Sequence, residues 1–246
     1  MRKLNISVAA EPVFHIGEFP ITNSLLTSLV VMAVLLIIAV VSYTKSNSGK
    51  GKLPLTVRVV TEGLYDFLKQ IAGEKTDALF PLLFTFFFFI ILGNWIGLLP
   101  GVGTIGFWEY HGGERVLIPF LRSPNASLSI TVALALISVV SIQILSVKAL
   151  GGRKYIGKFI NLKSPIGFFV GILELISEFS KILSFSFRLF GNIFAGEVLL
   201  MVIMFLIPVI VPVPFLILEI FVGLVQALVF TMLTTIFIVV ATNEHH

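Results

Sequence analysis

Eight polar residues stand inside two apolar runs near the end of the chain: Glu174, Glu178, Lys181, Arg188, Asn192, Glu197, Glu219 and Gln226. Charge at membrane depth costs several kcal/mol and faces protein or water, not lipid. An arginine there stays protonated, so an anion or a water-filled cavity must meet it. A carboxyl in a low-dielectric site can load and release a proton near neutral pH. At about 100° per residue, Glu178, Lys181, Arg188 and Asn192 all fall within about 40° of Glu174, forming one stripe, whereas Glu197 falls about 140° away. Glu219 and Gln226, seven apart, share a face of the next helix. Glu174, Glu178 and Lys181 also admit a plainer reading, as interfacial groups that pair with one another or snorkel. Arg188, between Phe187 and Leu189 and far from both ends of its run, does not. With few carboxylates available in this chain, a carboxylate on another chain is its expected partner. Glu197 and Glu219 suit a proton path, or a structural pair sharing one proton.

Composition limits the scaffold. Of 246 residues, 57% are hydrophobic and 12% charged, against about 25% charged in soluble domains. Mean hydropathy is +1.05. That excludes a water-soluble domain and implies an all-α integral membrane protein, a single membrane domain over residues 1–246. The absence of Cys excludes a disulfide framework, a thiolate zinc site and a cysteine nucleophile. The net charge of +4 belongs in loops and does not call for nucleic acid.

Residues 1–24 are a mixed, polar segment. Leu25–Tyr43 is a first span. In Leu55–Gly73 apolar residues recur at helical spacing between Arg58, Glu62, Asp66 and Lys69, which predicts an interfacial amphipathic helix. Leu79–Pro100 and Ser127–Val147 are the second and third spans, separated by a Gly-rich loop from Gly101 to Ser123. Gly167–Ile207 contains no proline, and its roughly 60 Å as a helix exceeds a bilayer core about twofold. Such a helix must tilt, bend or project. Pro208, Pro212 and Pro214 break it, and Phe215–Ala241 returns as the other arm of a long hairpin. The expected architecture is about five crossings plus the interfacial helix.

Lys and Arg counts set the orientation. Residues 44–78 hold six and 148–165 five, against two in 1–20, two in 101–126 and none in the proline turn. The first two segments are then cytoplasmic, the N-terminus external and the C-terminus cytoplasmic.

The run Phe187-Arg188-Leu189-Phe190-Gly191-Asn192-Ile193-Phe194-Ala195-Gly196-Glu197 resembles the signature of subunit a of the bacterial F-type ATP synthase. So do Glu174-Leu175-Ile176-Ser177-Glu178-Phe179-Ser180-Lys181, Leu224 to Phe230 around Gln226, Phe14-His15-Ile16-Gly17, Asn94-Trp95-Ile96-Gly97-Leu98-Leu99-Pro100-Gly101 and the tail Glu244-His245-His246. The resemblance covers essentially the whole chain.

It implies a non-nucleotide-binding stator subunit of the bacterial plasma (inner) membrane, with the c-subunit ring, the b-subunit stalk and the rest of the F1Fo complex as partners. The long hairpin would lie tilted against the c-ring, with two offset aqueous half-channels for protons. Arg188 matches the family's essential arginine, facing the ring carboxylate. Glu197, Glu219, Asn192 and Gln226 match the external half-channel; Glu174, Ser177 and Glu178 match the cytoplasmic one. No cofactor or metal is implied. Two positions depart from the pattern: Glu219 stands where some relatives carry His and others Gly, and Ser123 stands two before Asn125, where an acid is common. The alternatives are a secondary permease binding an anion at Arg188, which the lack of a visible inverted repeat disfavours, and a purely structural scaffold, which leaves Arg188, Asn192 and Glu197 without a reason.

Overall fold

The computed structural model describes residues 9–47, 55–99, 101–111, 114–159, 164–208 and 210–243. Pro100, Lys163 and the tail Glu244-His245-His246 lie outside the described residues. Five stretches are helical, long and apolar enough to cross a membrane: Asn23–Thr44, Val57–Leu98, Leu128–Leu150, Pro165–Leu206 and Pro212–Thr242. The chain is an all-α membrane protein with two small β-hairpins.

The first hairpin lies in the N-terminal segment. Strands β1 (Pro12–Ile16) and β2 (Phe19–Thr22) pair antiparallel, turning at Gly17 with φ 64°. Helix α1 (Asn23–Asn47) follows directly. Its first turns are buried at Asn23, Ser24 and Thr27, while Leu36, Ile37 and Val40 further along are exposed. Helix α2 (Leu55–Ala72) is amphipathic, with Leu64 and Leu68 buried and Arg58 paired to Glu62 at 2.7 Å on its exposed side. A tight turn at Gly73–Lys75 leads into α3 (Thr76–Leu98).

The link from α3 to the next span is not only a loop. Strands β3 (Gly106–His111) and β4 (Glu114–Pro119) pair from Gly106 opposite Pro119 to His111 opposite Glu114. Only glycine fits at 106, where a Cβ would lie 1.9 Å from the Ile118 carbonyl oxygen. Both hairpins escape sequence reading for one reason: strands of four to six residues are too short for a period of two to stand out. A single turn, Pro124–Ala126, then starts α4 (Leu128–Leu150). The basic connector also carries structure, the short helix α5 (Gly152–Phe159).

Helix α6 (Pro165–Leu206) runs 42 residues unbroken. Ser164 caps it, its hydroxyl accepting from the Gly167 N–H at 3.0 Å, with Pro165 in the first helical position, where a missing N–H costs nothing. Helix α7 (Pro212–Thr242) begins earlier than the sequence suggests. Pro212 and Pro214 start α7 and do not belong to the turn, because a first helical turn needs no internal donors.

Helix α7 packs against α2, α3, α4 and α6. The core is apolar, with Leu68, Leu83, Ile90, Ala135, Ile142, Leu189, Ala227, Phe230 and Ile238 buried. Phe230 touches Phe86 and Phe185 at ring separations of 5.4 and 5.0 Å. Lipid offers no hydrophobic drive for helices to associate, so close packing and interhelical hydrogen bonds must hold them. Helices α4 and α7 show this: Ser138 meets Thr234 at 2.9 Å, and Ser146 donates to the Ala241 carbonyl at 2.8 Å.

Candidate functional site: Arg188 and two hollows along helices α6 and α7

Arg188 sits deep within α6, and its side chain is exposed. Neighbouring Phe185, Ser186 and Leu189 are buried against the bundle, so helical geometry turns Arg188 outward. Its Nη2 donates to Ser184 Oγ, one turn back, at 3.2 Å. Among the described residues no carboxylate meets it.

Two hollows open along the seam of α6 and α7. One, about 260 Å³, is lined by Ser177, Ser180, Lys181, Ser184 and Arg188 of α6, facing Leu233 and Phe237 of α7. The other, about 440 Å³, is lined by Asn192, Gly196, Glu219 and Gln226 with apolar neighbours. Arg188 belongs to the first and Asn192, one turn on, to the second. They share no lining residue.

The second hollow is held by helix α3. Asn94 Nδ2 donates to the Gly223 carbonyl at 3.1 Å, and Trp95 Nε1 donates to the Ile220 carbonyl at 3.1 Å. Asn125 Nδ2 in turn donates to Asn94 Oδ1 at 2.7 Å. This chain of amides fixes α7 one turn before Gln226. Asn192 then donates to Gln226 Oε1 at 2.9 Å, leaving the buried Gln226 Nε2 without a partner among the described residues. A buried orphan donor beside a polar hollow is a natural water site. Glu219 is buried, and its carboxyl lies over the backbone of Gly196, where a Cβ would come within 2.1 Å of Glu219 Oε2. Only glycine at 196 lets the carboxyl lie there.

Glu197, adjacent in sequence, faces elsewhere. Its carboxylate receives Arg122 Nη2 at 2.9 Å and Arg122 Nε at 3.1 and 3.2 Å. Arg122 comes from the link before α4 and is 7% exposed. Its Nη1 also donates to the Ala9 carbonyl at 3.1 Å, and its backbone N–H to Thr27 Oγ1 at 3.1 Å. Ser123 donates to the Gly93 carbonyl at 3.0 Å.

At the other end of α6, Glu174 pairs with Lys158 of α5 at 2.5 Å. Glu178 accepts from Lys181 at 2.7 Å and from Gln143 of α4 at 2.5 Å, and Gln143 also accepts from the Tyr155 hydroxyl. Burial, then the charges of Glu178 and Glu174, hold the Tyr155 phenol above its ordinary range. Lys181 reaches over the Phe237 ring, 5.0 Å from its centre.

The structure therefore brings together Asn192, Glu219 and Gln226 in one hollow, and Ser177, Lys181 and Arg188 in the other. Glu197 faces Arg122, and Glu174 and Glu178 face α5 and α4. The stripe read from helical phase is thus divided, because neighbours on different sides claim its two ends. Ser180 and Ser184 escaped sequence reading, although with Ser177 they repeat at three and four residues, a helical spacing that could have marked them. Arg122, Gln143, Tyr155 and Lys158 carried no such local signal.

A model of the family described as the ATP synthase A chain matches residues 25–239 of this chain. The chain belongs to that family. It is 32% identical over 236 residues to the ATP synthase subunit a of Legionella pneumophila strain Philadelphia 1, covering 94% of this chain and 91% of the relative. The same protein of strain Paris is 31% identical over the same shares. ATP synthase subunit a of the Oedogonium cardiacum chloroplast is 32% identical over 247 residues, covering 98% of this chain and 91% of the relative. Family and helices together make the chain a multi-pass membrane protein of the ATP synthase.

Proposed function

We propose that this chain is the ion-channel stator subunit of an F-type ATP synthase, carrying protons to and from the carboxylates of a c-subunit ring through two offset half-channels. It binds no nucleotide itself; it couples proton flow to ring rotation. One observation carries the reading: Arg188 is an exposed cation deep in α6, without a carboxylate partner among the described residues, lining one hollow one helical turn from a second hollow that shares no lining residue with it. A permanent cation at membrane depth needs an anion, and the ring carboxylate supplies it from another chain. As each ring carboxylate passes, Arg188 favours its ionised form, so the proton leaves on one side and another is taken up on the other. The same charge repels a proton that would cross directly.

In this reading the hollow with Asn192, Glu219 and Gln226 is the mouth of the external half-channel, with Glu197 behind it. The hollow with Ser177 belongs to the cytoplasmic half-channel, and Glu174 and Glu178 line its far end beside α5. The eleven Lys and Arg of residues 44–78 and 148–165, against four in the opposite segments, support an external N-terminus and a cytoplasmic C-terminus in a bacterial inner membrane. Helix α2 lies at the cytoplasmic interface. The b-subunit stalk and the remaining F1Fo subunits complete the assembly.

The deciding experiment is Arg188→Ala in the assembled complex. Proton-driven ATP synthesis and ATP-driven pumping both fall to background while the c-ring and b subunit still copurify. Normal coupled synthesis by that variant would end the reading.

A further inference from the structure

The two carboxyls of the proposed external half-channel sit in opposite circumstances. Glu219 lies over Gly196 in the hollow that also holds Asn192 and Gln226, with no hydrogen bond or ion pair among the described residues. Glu197 has both oxygens taken by one guanidinium, at 2.9 to 3.2 Å. That guanidinium is fixed from other directions too, by the Ala9 carbonyl on Nη1 and by Thr27 on the Arg122 backbone. The link bearing it is pinned to α3, with Ser123 on the Gly93 carbonyl and Asn125 on the Ile90 carbonyl at 3.2 Å. Arginine does not release its proton. To accept one, Glu197 would have to abandon a cation that is buried and cannot follow it, which is the costly way to break such a pair.

We propose that Arg122 is a positioning residue that ties both oxygens of Glu197 to the link before α4, so that Glu219, which has no such partner among the described residues, is the carboxyl of the external half-channel that takes up and releases the proton. The proposal rests on the channel reading above and deepens it. The transfer is a proton moving from external water to a Glu219 carboxylate oxygen, then from that oxygen to an ionised ring carboxylate; no other bond changes. The Arg122–Glu197 pair adds no net charge beside the path of the proton. It also moors the start of α1 and the N-terminal segment to α6, keeping Gly196 in place beneath Glu219. The charged groups on the elements around Glu197 are Arg122 in the link before α4 and Glu219 on α7; α4 carries no charge between Leu128 and Val147, and the N-terminal segment contributes Arg2, Lys3, Glu11, His15 and Glu18.

The test is a double-mutant cycle on the complete complex in liposomes, reading passive proton flux under an imposed potential and its pH profile. R122Q and E197Q each lower flux about tenfold, the rate equivalent of one lost charge-assisted hydrogen bond. In R122Q the released Glu197 adds a second transition to the pH profile. R122Q/E197Q, with both charges gone, recovers at least half the parental flux and the parental profile. E219Q abolishes flux and is not rescued by adding the other two changes. R122K, which keeps a cation for Glu197, retains the parental profile and carries the test where the double variant fails to assemble. A double variant as impaired as E197Q, or a shifted profile in R122K, means that Glu197 carries the proton and overturns the proposal. Undiminished passive flux in E219Q together with normal coupled ATP synthesis in R188A would instead sink the channel reading itself.

Discussion

Two arginines, Arg122 and Arg188, occupy this structure in contrasting ways. Arg122 is buried in the link before α4 and spends its donors on Glu197 and the Ala9 carbonyl. Arg188 is exposed near the middle of the longest helix, and its one contact among the described residues is a serine hydroxyl. A guanidinium whose hydrogen bonds are satisfied inside its own chain is a structural fastener. One presented with its charge unspent is available to a group outside its own chain. Sequence distance conceals the contrast: Arg122 reads as one more loop cation, and Arg188 is conspicuous because everything around it is apolar.

Removing each charge is the strongest way to break this comparison. Arg188→Ala takes proton-driven synthesis to background with little change in the complex's thermal midpoint. Arg122→Ala acts the other way, leaving Glu197 unpaired and destabilising the protein by about 3 kcal/mol, read as a lower midpoint and reduced recovery of assembled complex. Equal loss of stability in both variants would erase the distinction.

Next in size is Gly196. Its α-carbon lies under the Glu219 carboxyl, where an added Cβ would come within 2.1 Å of an oxygen. Gly196→Ala must therefore displace Glu219, and Gly196→Leu more so. Passive flux is expected to fall in the order glycine, alanine, leucine; an unimpaired leucine variant would detach Glu219 from the path.

Smaller effects sharpen the comparison between the two hollows. Gln226→Leu removes the acceptor of the Asn192 amide, a loss of about 1 kcal/mol, and slows flux several-fold without altering assembly. Lys158→Ala removes the partly exposed pair with Glu174, which is worth under about 1 kcal/mol and is weakened further by salt. Its pumping rate at physiological ionic strength stays within about twofold of the parent. A large effect there would make α5 a working part of the cytoplasmic branch, not a brace beside it.

What could be read from the residues follows from how far each signal reaches along the chain. Spans of about 20 apolar residues announce themselves, because a bilayer demands them. Arg188, Asn192 and Gln226 stand out because each is a polar residue in an apolar run. The partner of Glu197 lies 75 residues away, and no local period encodes that meeting. Counting loop cations for orientation treats Arg122 as equivalent to any surface lysine, so it cannot show which of them is buried. Helical phase placed Glu197 away from Arg188, and the structure turns it toward Arg122. It also joined Glu174 and Glu178 to the Arg188 stripe, whereas α4 and α5 draw those two aside. Phase measures direction around one helix and is blind to which neighbour waits there. The prolines show a similar limit: Pro212 and Pro214 stop the preceding helix or begin the next one with equal ease, and only the fold distinguishes the two.

Helix α6 can also be regarded as a beam. Its 42 residues run without an internal proline, so it has no built-in hinge. The residues that press it against the bundle behind are mostly gathered from Phe185 to Leu200, with Ser186, Leu189, Ile193 and Gly196 between them. Arg188 lies within that braced stretch. The end toward Pro165 is tied as well, to α5 and α4 through Glu174 and Glu178, whereas the end toward Leu206 is exposed. A beam deflects least where it is braced, so a sideways load from a turning neighbour would bend the end toward Leu206 and leave the arginine nearly stationary, as a fixed point against which rotation can be measured.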